Sequence, residues 1–267
     1  MTILTEIRKE KTTVSSPIKI IIPMYNEETT ILGLINRIKK TFNNWERNVK
    51  IICVDDGSSD RTRNLLEKLD VTLICHHKNL GKGEALKNGF KYCEPHDTIV
   101  TIDADGEHRP EEIPKLLDPI LKRKADMIIG SRFMYIKDNR VSYLNNKKHL
   151  AYIRKFGNEV FSLFAKMVTQ KTITDTQSGF RAFRPNTVHN MNLEAKGFEI
   201  ETEMIMEALK RGYRIMEVPI YNDKVQRDSY MNIVFDSVKI ILTFLNGIFP
   251  NRLRTFVNFL IDKLNRI

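Results

Sequence analysis

The feature that most constrains the fold is a regular alternation of short apolar runs with amphipathic segments. Five apolar runs rich in β-branched residues are predicted to be strands, and segments with helical spacing separate them. The runs cover residues 18–23, 49–54, 71–75, 98–102 and 126–130. Strands that alternate with helices pair in parallel, because each helix returns the chain to the same end of the sheet. The pattern predicts an α/β domain with a mostly parallel, Rossmann-like sheet flanked by helices.

Polar segments follow four of these runs, where the strands would end. They are residues 24–27, 55–60, 103–107 and 130–132. The carboxyl ends of parallel strands lie at one edge of a sheet, where open α/β sheets bind ligands, so these segments predict one shared ligand crevice. The chain has neither the Gly-x-x-x-x-Gly-Lys-Ser/Thr phosphate loop nor a complete glycine fingerprint for a dinucleotide. The diphosphate of a bound nucleotide would therefore be held by a metal ion and an arginine.

Three acids at alternate positions follow the fourth run: Asp103, Asp105 and Glu107. Carboxylates this close repel one another unless a cation lies between them. Hard oxygen ligands suit Mg²⁺ or Mn²⁺, which also take substrate phosphates as ligands. A calcium-binding EF-hand loop is excluded, because His108 and Pro114 occupy the positions that need a glycine and an acid. The segment predicts a Mg²⁺ or Mn²⁺ site, and the alternative is a solvated acidic turn before a helix.

The same acids leave a second enzyme class open. Asp103-Ala104-Asp105-Gly106 is similar to the Asp-x-Asp-Gly-Thr motif of phosphatases, in which the first aspartate is the covalent nucleophile. Glu107 stands in the place of the threonine, and strand-like runs precede the motif, whereas none does in that class. A phosphatase-like hydrolase that uses Asp103 is therefore one alternative function. A non-catalytic scaffold at a membrane surface is the other.

The net charge of +10 is concentrated in two regions. Residues 120–171 contain twelve Lys and Arg against three Asp and Glu, and residues 224–267 contain seven against three. These regions favour a polyanionic partner, and composition leaves nucleic acid, an anionic membrane and a phosphate-bearing substrate open. The three cysteines lack metal-binding spacing and are typical of reduced thiols in the cytosol. The sequence predicts neither a signal peptide nor a membrane-spanning run of about 18 apolar residues.

The second half of the chain predicts helices with apolar faces and one late strand. Residues 145–168 and 198–211 have helical spacing, and residues 215–221 are predicted to be an edge or bulged strand because they contain Pro219. Residues 231–267 predict two amphipathic helices with basic flanks. Such helices lie in a membrane interface, or pack on the folded domain or on a second subunit.

Short motifs along the chain carry a resemblance to a known family. The motifs are, in chain order, Pro23-Met24-Tyr25-Asn26-Glu27, Val54-Asp55-Asp56-Gly57-Ser58, Asn79-Leu80-Gly81-Lys82-Gly83, Asp103-Ala104-Asp105 and Gly130-Ser131-Arg132. Together they resemble the inverting glycosyltransferases of family 2, which have the GT-A fold. The segment Asp175-Thr176-Gln177-Ser178-Gly179-Phe180-Arg181 narrows the resemblance to the branch similar to dolichol-phosphate mannose synthases.

The resemblance implies a set of donor-binding residues. The nucleotide sugar would be bound by Pro23, Tyr25, Glu27, Val54, Asp56, Asp103, Ala104, Asp105 and Arg132. Asp56 would accept hydrogen bonds from the nucleobase. Asp103, Asp105 and Glu107 would be the ligands of the Mg²⁺ or Mn²⁺ that holds the diphosphate. Glu107 stands where the mannose synthases often have glutamine, and an ionised glutamate can still coordinate a metal.

The resemblance also implies residues for the acceptor and for catalysis. Arg132 and Arg154 would bind the acceptor phosphate. Asp105, Arg132 and Asp175 are the predicted catalytic residues, and Asp175 is either a general base or an organiser of its loop. The acceptor phosphate is already anionic at neutral pH, so catalysis would depend mostly on positioning.

The predicted organisation has three parts. Residues 1–16 form an N-terminal extension, residues 17–230 a GT-A glycosyltransferase domain, and residues 231–267 the amphipathic tail. The predicted function is inverting transfer of a sugar from GDP-mannose, UDP-glucose or UDP-GlcNAc to dolichyl or polyprenyl phosphate. The enzyme is expected in the cytoplasm, associated peripherally with an anionic surface at the cytoplasmic face of the membrane, with no nucleic-acid partner.

Overall fold

The computed structural model describes residues 16–134, 173–223 and 238–243. A seven-stranded sheet runs through this part of the chain in the order β3-β2-β1-β4-β6-β5-β7. The strands are β1 (Ile18–Met24), β2 (Val49–Asp55), β3 (Thr72–Cys75), β4 (Thr98–Thr101), β5 (Met127–Ser131), β6 (Arg181–Phe183) and β7 (Ile215–Pro219). The helices are α1 (Ile31–Phe42), α2 (Thr62–Leu66), α3 (Lys82–Lys91), α4 (Ile113–Leu121) and α5 (Ile200–Lys210), with a 3₁₀ turn at Pro110–Glu112. The five strands predicted from the apolar runs are all confirmed.

Most neighbouring strands pair in parallel, as the alternation predicted. β1 pairs with β2 and β4, β2 with β3, and β5 with β7. β6 is the exception, because it lies antiparallel between β4 and β5. The sequence pattern did not predict β6, which is three residues long and begins with the charged Arg181. Its insertion brings the segment 175–181 beside β4, where Thr101 Oγ1 donates to the carbonyl of Gly179 at 2.8 Å.

Two apolar cores lie on opposite faces of the sheet. Side chains alternate along a strand, so Ile20 and Ile22 of β1 pack with α1 and α4, whereas Ile21 packs with α3 and α5. All three isoleucines are fully buried. The central strands are therefore held from both sides, and the loops at their carboxyl ends start from a fixed backbone.

Two predictions for the second half of the chain are also confirmed. The helix predicted over residues 198–211 is α5, and the late strand is β7 at the edge of the sheet. Pro219 is the last residue of β7. An edge strand tolerates proline because its outer side has no partner that needs the missing N–H.

Several predicted features lie outside the described residues. These are the N-terminal extension, the helix over residues 145–168 with Arg154, and most of the tail. The short helical segment that is described in the tail buries Ile240, whereas Val238 and Ile241 are 41% and 42% exposed. In the described part of the chain, no helix is both long enough and apolar enough to cross a membrane.

Candidate active site

The loops after β1 and β2 are fastened to each other at the carboxyl edge of the sheet. Asn26 adopts a left-handed conformation with φ of 56°. Its side-chain oxygen accepts the N–H of Ser59 at 2.8 Å, and its own N–H donates to Ser58 Oγ at 2.9 Å. The N–H of Glu27 donates to Thr62 Oγ1 at 2.7 Å. The two loops that carry the first predicted donor-binding motifs therefore form one wall of the crevice.

The predicted donor-binding residues of these loops differ in exposure. Tyr25 is partly exposed, whereas Pro23, Glu27, Val54 and Ala104 are buried. The buried Pro23, Val54 and Ala104 can offer a ligand only backbone atoms. Their contacts with a donor stay predictions.

The Asp56 carboxylate organises the loop before α3. Its Oδ1 accepts the N–H of Leu80 at 2.9 Å, and its Oδ2 accepts the N–H of Gly81 at 2.8 Å. Oδ1 also lies 2.6 Å from His76 Nδ1. Gly81 has φ of 101°, and a Cβ there would lie 2.3 Å from the carbonyl oxygen of Lys196, so only glycine fits. The predicted nucleobase contact of Asp56 stays a prediction, and the structure adds this loop-holding role.

An ammonium lies between two carboxylates beside the loop that follows β4. Lys82 Nζ is 2.7 Å from Asp103 Oδ1 and 2.7 Å from Glu201 Oε1. Burial raises the pKa of the Asp103 carboxyl, but Lys82 and His108 together outweigh burial and hold that pKa far below its usual value. The Asp103 carboxylate also lies 3.7 Å from His108 Nε2, and a Cβ on Gly179 would be 2.5 Å from both of its oxygens. Asp103 is therefore fixed and ionised.

Sequence reasoning missed Lys82 and Glu201 as site residues. The available signal for Lys82 was its place between two glycines at the start of a helix after a strand. The second glycine, Gly83, has no room for a side chain, because a Cβ would lie 2.4 Å from the carbonyl oxygen of Ala195. Glu201 lies among several glutamates of α5, and nothing in the local sequence distinguishes it from them.

Arg132 and Asp175, both predicted catalytic residues, form a bidentate ion pair. Arg132 Nε and an Nη atom donate to the two Asp175 oxygens at 2.7 and 2.8 Å. The backbone N–H of Arg132 donates to the same carboxylate at 3.1 Å. Burial raises the pKa of the Asp175 carboxyl. The Arg132 guanidinium outweighs the effect of burial, so the pKa lies below its usual value. A fully buried carboxylate with both oxygens engaged is a weak base. The geometry favours the organising role of Asp175 over the general-base role.

Two further residues that sequence reasoning missed hold the loop of Asp175. The Arg181 guanidinium is fully buried and donates to the carbonyls of Thr176, Ser178 and Glu201 at 2.9, 2.8 and 2.7 Å. From β7, the Glu217 carboxylate accepts the N–H of Asp175 at 2.9 Å. The available signal for Arg181 was its place as the last residue of the segment 175–181, which carries part of the family resemblance. These bonds explain why a loop without regular secondary structure can position an ion pair.

We expect Arg181→Ala to lower the free energy of unfolding by at least about 3 kcal/mol, because it leaves three carbonyls without their donor. Denaturant unfolding of the full chain measures this loss. Arg184→Ala is the matched control, since Arg184 lies near the same strand and pairs with Asp126 while its side chain is 42% exposed. Equal losses for the two variants would contradict the bracing role of Arg181.

The acids after β4 form a tight turn. Asp105 Oδ1 accepts the N–H of Glu107 at 2.9 Å, and Gly106 between them has φ of 74°. Glu107 Oε2 lies 3.4 Å from Asn222 Nδ2. Among the described residues, no three His, Cys, Asp or Glu side chains form a ready-made metal cage. The oxygen donors of Asp103 and Asp105 nevertheless fit Mg²⁺ or Mn²⁺, which are commonly held by one or two carboxylates with phosphate and water completing the shell.

The chain matches a family model over most of this domain. The model is described as Glycosyl transferase family 2 and covers residues 19–189. These residues include the acids after β4, Arg132, Asp175 and the loop before α3.

Curated relatives match similar lengths of the chain. The UDP-N-acetylglucosamine–dolichyl-phosphate N-acetylglucosaminyltransferase of Methanococcus voltae is 33% identical over 224 residues, which cover 76% of this chain and 84% of that protein. The undecaprenyl-phosphate mannosyltransferase of Micrococcus luteus is 30% identical over 210 residues, which cover 75% of this chain and 81% of that protein. The dolichol-phosphate mannosyltransferase of Pyrococcus furiosus is 34% identical over 76% of this chain and 55% of that protein.

Solved structures with the same fold are more distant in sequence. Glucosyl-3-phosphoglycerate synthase from Mycobacterium tuberculosis, in complex with Mn²⁺, UDP and glucosyl-3-phosphoglycerate, superposes with a TM-score of 0.66. The match is 18% identical and covers 87% of this chain and 80% of that chain. The arrangement of the sheet and its flanking helices is thus that of a GT-A glycosyltransferase.

Proposed function

The chain belongs to glycosyl transferase family 2, and from that premise we propose that it transfers a sugar from a nucleotide-diphosphate donor to a polyprenyl phosphate such as dolichyl phosphate. The observation that carries the proposal is the meeting of Asp103, Arg132 and Asp175 in one crevice at the carboxyl edge of the sheet. Burial lowers the pKa of the Arg132 guanidinium, but Asp175 raises it more, and Glu107 and Asp103 lie close enough to add to that rise. Relatives that match about three quarters of the chain are named for transfer to dolichyl or undecaprenyl phosphate.

On the donor side, the acids after β4 would hold the diphosphate. Asp103 and Asp105 would be metal ligands, with Glu107 as a third carboxylate. A bound Mg²⁺ or Mn²⁺ would stabilise the charge that develops on the departing nucleoside diphosphate. The wall formed by the loops after β1 and β2 would take the base and ribose, with Tyr25 and Asp56 nearest to them. GDP-mannose, UDP-glucose and UDP-GlcNAc are the donors proposed, and relatives named for GlcNAc and for mannose transfer support such sugars.

On the acceptor side, Arg132 would orient the phosphate, and Arg154 would be a second phosphate ligand. A planar guanidinium held by Asp175 presents its remaining N–H groups in a fixed direction, which suits a phosphate oxygen. An acceptor oxygen bonds to the anomeric carbon as the bond from that carbon to the donor diphosphate breaks, which inverts the configuration. The acceptor oxygen already carries negative charge, so no residue needs to remove a proton. The chain's contribution is then positioning and charge stabilisation.

Family membership supports the transferase over the two alternative functions, since curated relatives are named for sugar transfer. The geometry also argues against the hydrolase. The Asp103 carboxylate lies 2.7 Å from Lys82 Nζ and is packed against Gly179. A carboxylate held by an ammonium in this way is a poor nucleophile.

A thermal-shift screen tests the donor half of the proposal. The full chain is melted with GDP, UDP and their sugar conjugates, each with and without Mn²⁺. We expect one nucleotide series to raise the melting temperature, and Mn²⁺ to increase that rise, because a ligand that binds only the folded state stabilises it. Absence of any nucleotide- and Mn²⁺-dependent rise would contradict the proposal.

We also propose that the enzyme acts at the cytoplasmic face of the membrane, to which its tail binds peripherally. Basic residues flank the predicted tail helices, and each Lys or Arg near an anionic leaflet contributes about 1 kcal/mol of attraction. Deleting residues 233–267 should reduce binding to anionic vesicles and activity on long-chain acceptors, yet leave donor binding intact. Cosedimentation with vesicles at low and high salt measures the first effect. A truncated chain that cosediments as well as the full chain would show that the tail does not bind the membrane.

A further inference from the structure

The Lys82 ammonium is shared by two carboxylates of different character. Asp103 follows β4 and belongs to the acids proposed to hold the donor diphosphate. Glu201 is in the first turn of α5, and its side chain is 2% exposed. The two distances from Lys82 Nζ are equal at 2.7 Å. In the described part of the chain, Glu201 Oε2 has no hydrogen-bond partner, and Lys82, followed by the buried Arg181, is the cation that offsets the Glu201 charge.

The backbone places Lys82 and Glu201 together without help from their charges. The N–H of Gly83 donates to the carbonyl of Lys196 at 2.7 Å, and Glu199 Oε1 accepts the N–H of Lys196 at 3.1 Å and of Gly197 at 3.0 Å. The start of α3 is thereby bonded to the segment that leads into α5. These bonds already hold α3 to α5. The buried Glu201 carboxylate, whose desolvation is costly, is therefore not needed for that purpose.

We propose that Glu201 is a positioning residue that acts through Lys82 to keep Asp103 available to a divalent metal ion. The inference rests on the proposed function, because it takes Asp103 to be a metal ligand. A metal ion and the Lys82 ammonium compete for the same carboxylate. Glu201 offers the ammonium a second anionic partner, which weakens its hold on Asp103. Without the Glu201 charge, Lys82 would pair with Asp103 alone and the metal would bind less well.

The proposal predicts opposite effects for the two partners. Glu201→Gln should weaken binding of Mn²⁺ by at least about fivefold, which is the lower end of usual coupling between sites. Lys82→Met removes the competing cation and should tighten binding of Mn²⁺ by a similar factor. Loss of a merely structural ion pair would instead weaken binding in both variants. Lys87→Met is the matched control, since Lys87 lies on the same helix and pairs with Glu84 at 2.9 Å.

The test is a titration of the full, nucleotide-free chain with Mn²⁺ at low ionic strength, with free Mn²⁺ measured by electron paramagnetic resonance. The double variant separates action through Lys82 from direct attraction of the metal by Glu201. In the Lys82→Met background, Glu201→Gln should change the dissociation constant by less than about twofold, because its effect is coupled to Lys82. Circular dichroism verifies that each variant is folded.

Each result supports or overturns the proposal. Opposite shifts in the two single variants, together with a Glu201→Gln effect that disappears in the Lys82→Met background, support it. The proposal is overturned when Glu201→Gln changes Mn²⁺ binding by the same factor with and without Lys82. It is also overturned when both single variants bind Mn²⁺ more weakly. Either result leaves the proposed sugar transfer intact. A wild-type chain that binds no Mn²⁺ alone also overturns it, and sugar transfer measured with Mn²⁺ then decides separately whether the proposed function stands.

Discussion

Asp105→Ala should lower the rate of sugar transfer by at least about 10²-fold, the usual loss when one electrostatic stabiliser of a transition state is removed. Asp105 is one of the three carboxylates that we propose hold the diphosphate through a metal ion. The variant removes that charge, so the departing nucleoside diphosphate loses part of its stabilisation. The measurement is the transfer rate at saturating donor, acceptor and Mn²⁺.

The alanine variant also removes a structural bond, because Asp105 Oδ1 accepts the N–H of Glu107. Asp105→Asn keeps an acceptor for that N–H and removes only the charge, so we expect it to remain folded and to lose at least about tenfold in rate. Asp118→Ala is the control, since Asp118 is an exposed acid of α4 that pairs with Lys122, the residue just after that helix. Transfer that continues at the wild-type rate in excess EDTA would contradict the metal-dependent role.

Arg132→Met should lower transfer by at least about 10²-fold, because the guanidinium would orient the acceptor phosphate next to the donor. The variant also leaves the buried Asp175 carboxylate without its partner, which costs about 3–5 kcal/mol when a buried pair is broken. A loss of activity alone would therefore not distinguish phosphate binding from unfolding.

The double variant Arg132→Met with Asp175→Asn separates the two causes. Both members of the pair are then neutral, so much of the lost stability should return. We expect transfer to stay low, because the Arg132 guanidinium no longer orients the phosphate. Recovery of transfer together with stability would show that Arg132 only neutralises Asp175. The rate is followed with a long-chain polyprenyl phosphate, and stability by denaturant unfolding.

Much of the sheet could be predicted because its central strands are buried on both faces. Residues of β1 such as Ile20 and Ile21 face different cores, so the strand is apolar at nearly every position and stands out in the sequence. The alternation with helices gave the parallel direction of most pairs. It could not give the order of strands, and β6 is too short and too polar at Arg181 to be detected.

The candidate site was predictable where its residues follow strands directly. The acids after β4 and Arg132 after β5 have this signal, because the sheet edge fixes where they lie. The pairing of Arg132 with Asp175 was not predictable, since the antiparallel insertion of β6 creates it. Lys82 and Glu201 meet for a similar reason: their contact depends on how the starts of α3 and α5 pack, and local sequence does not encode that.

The most direct measurement of the central claim is a transfer assay with the full chain. Radiolabelled GDP-mannose, UDP-glucose and UDP-GlcNAc are each incubated with Mn²⁺ and a polyprenyl phosphate, and the lipid fraction is analysed by mass spectrometry. We expect a polyprenyl phosphate that carries one sugar from one of these donors, with release of the nucleoside diphosphate. Sugar transferred only to water, or no lipid-linked sugar from any nucleotide sugar, would contradict it.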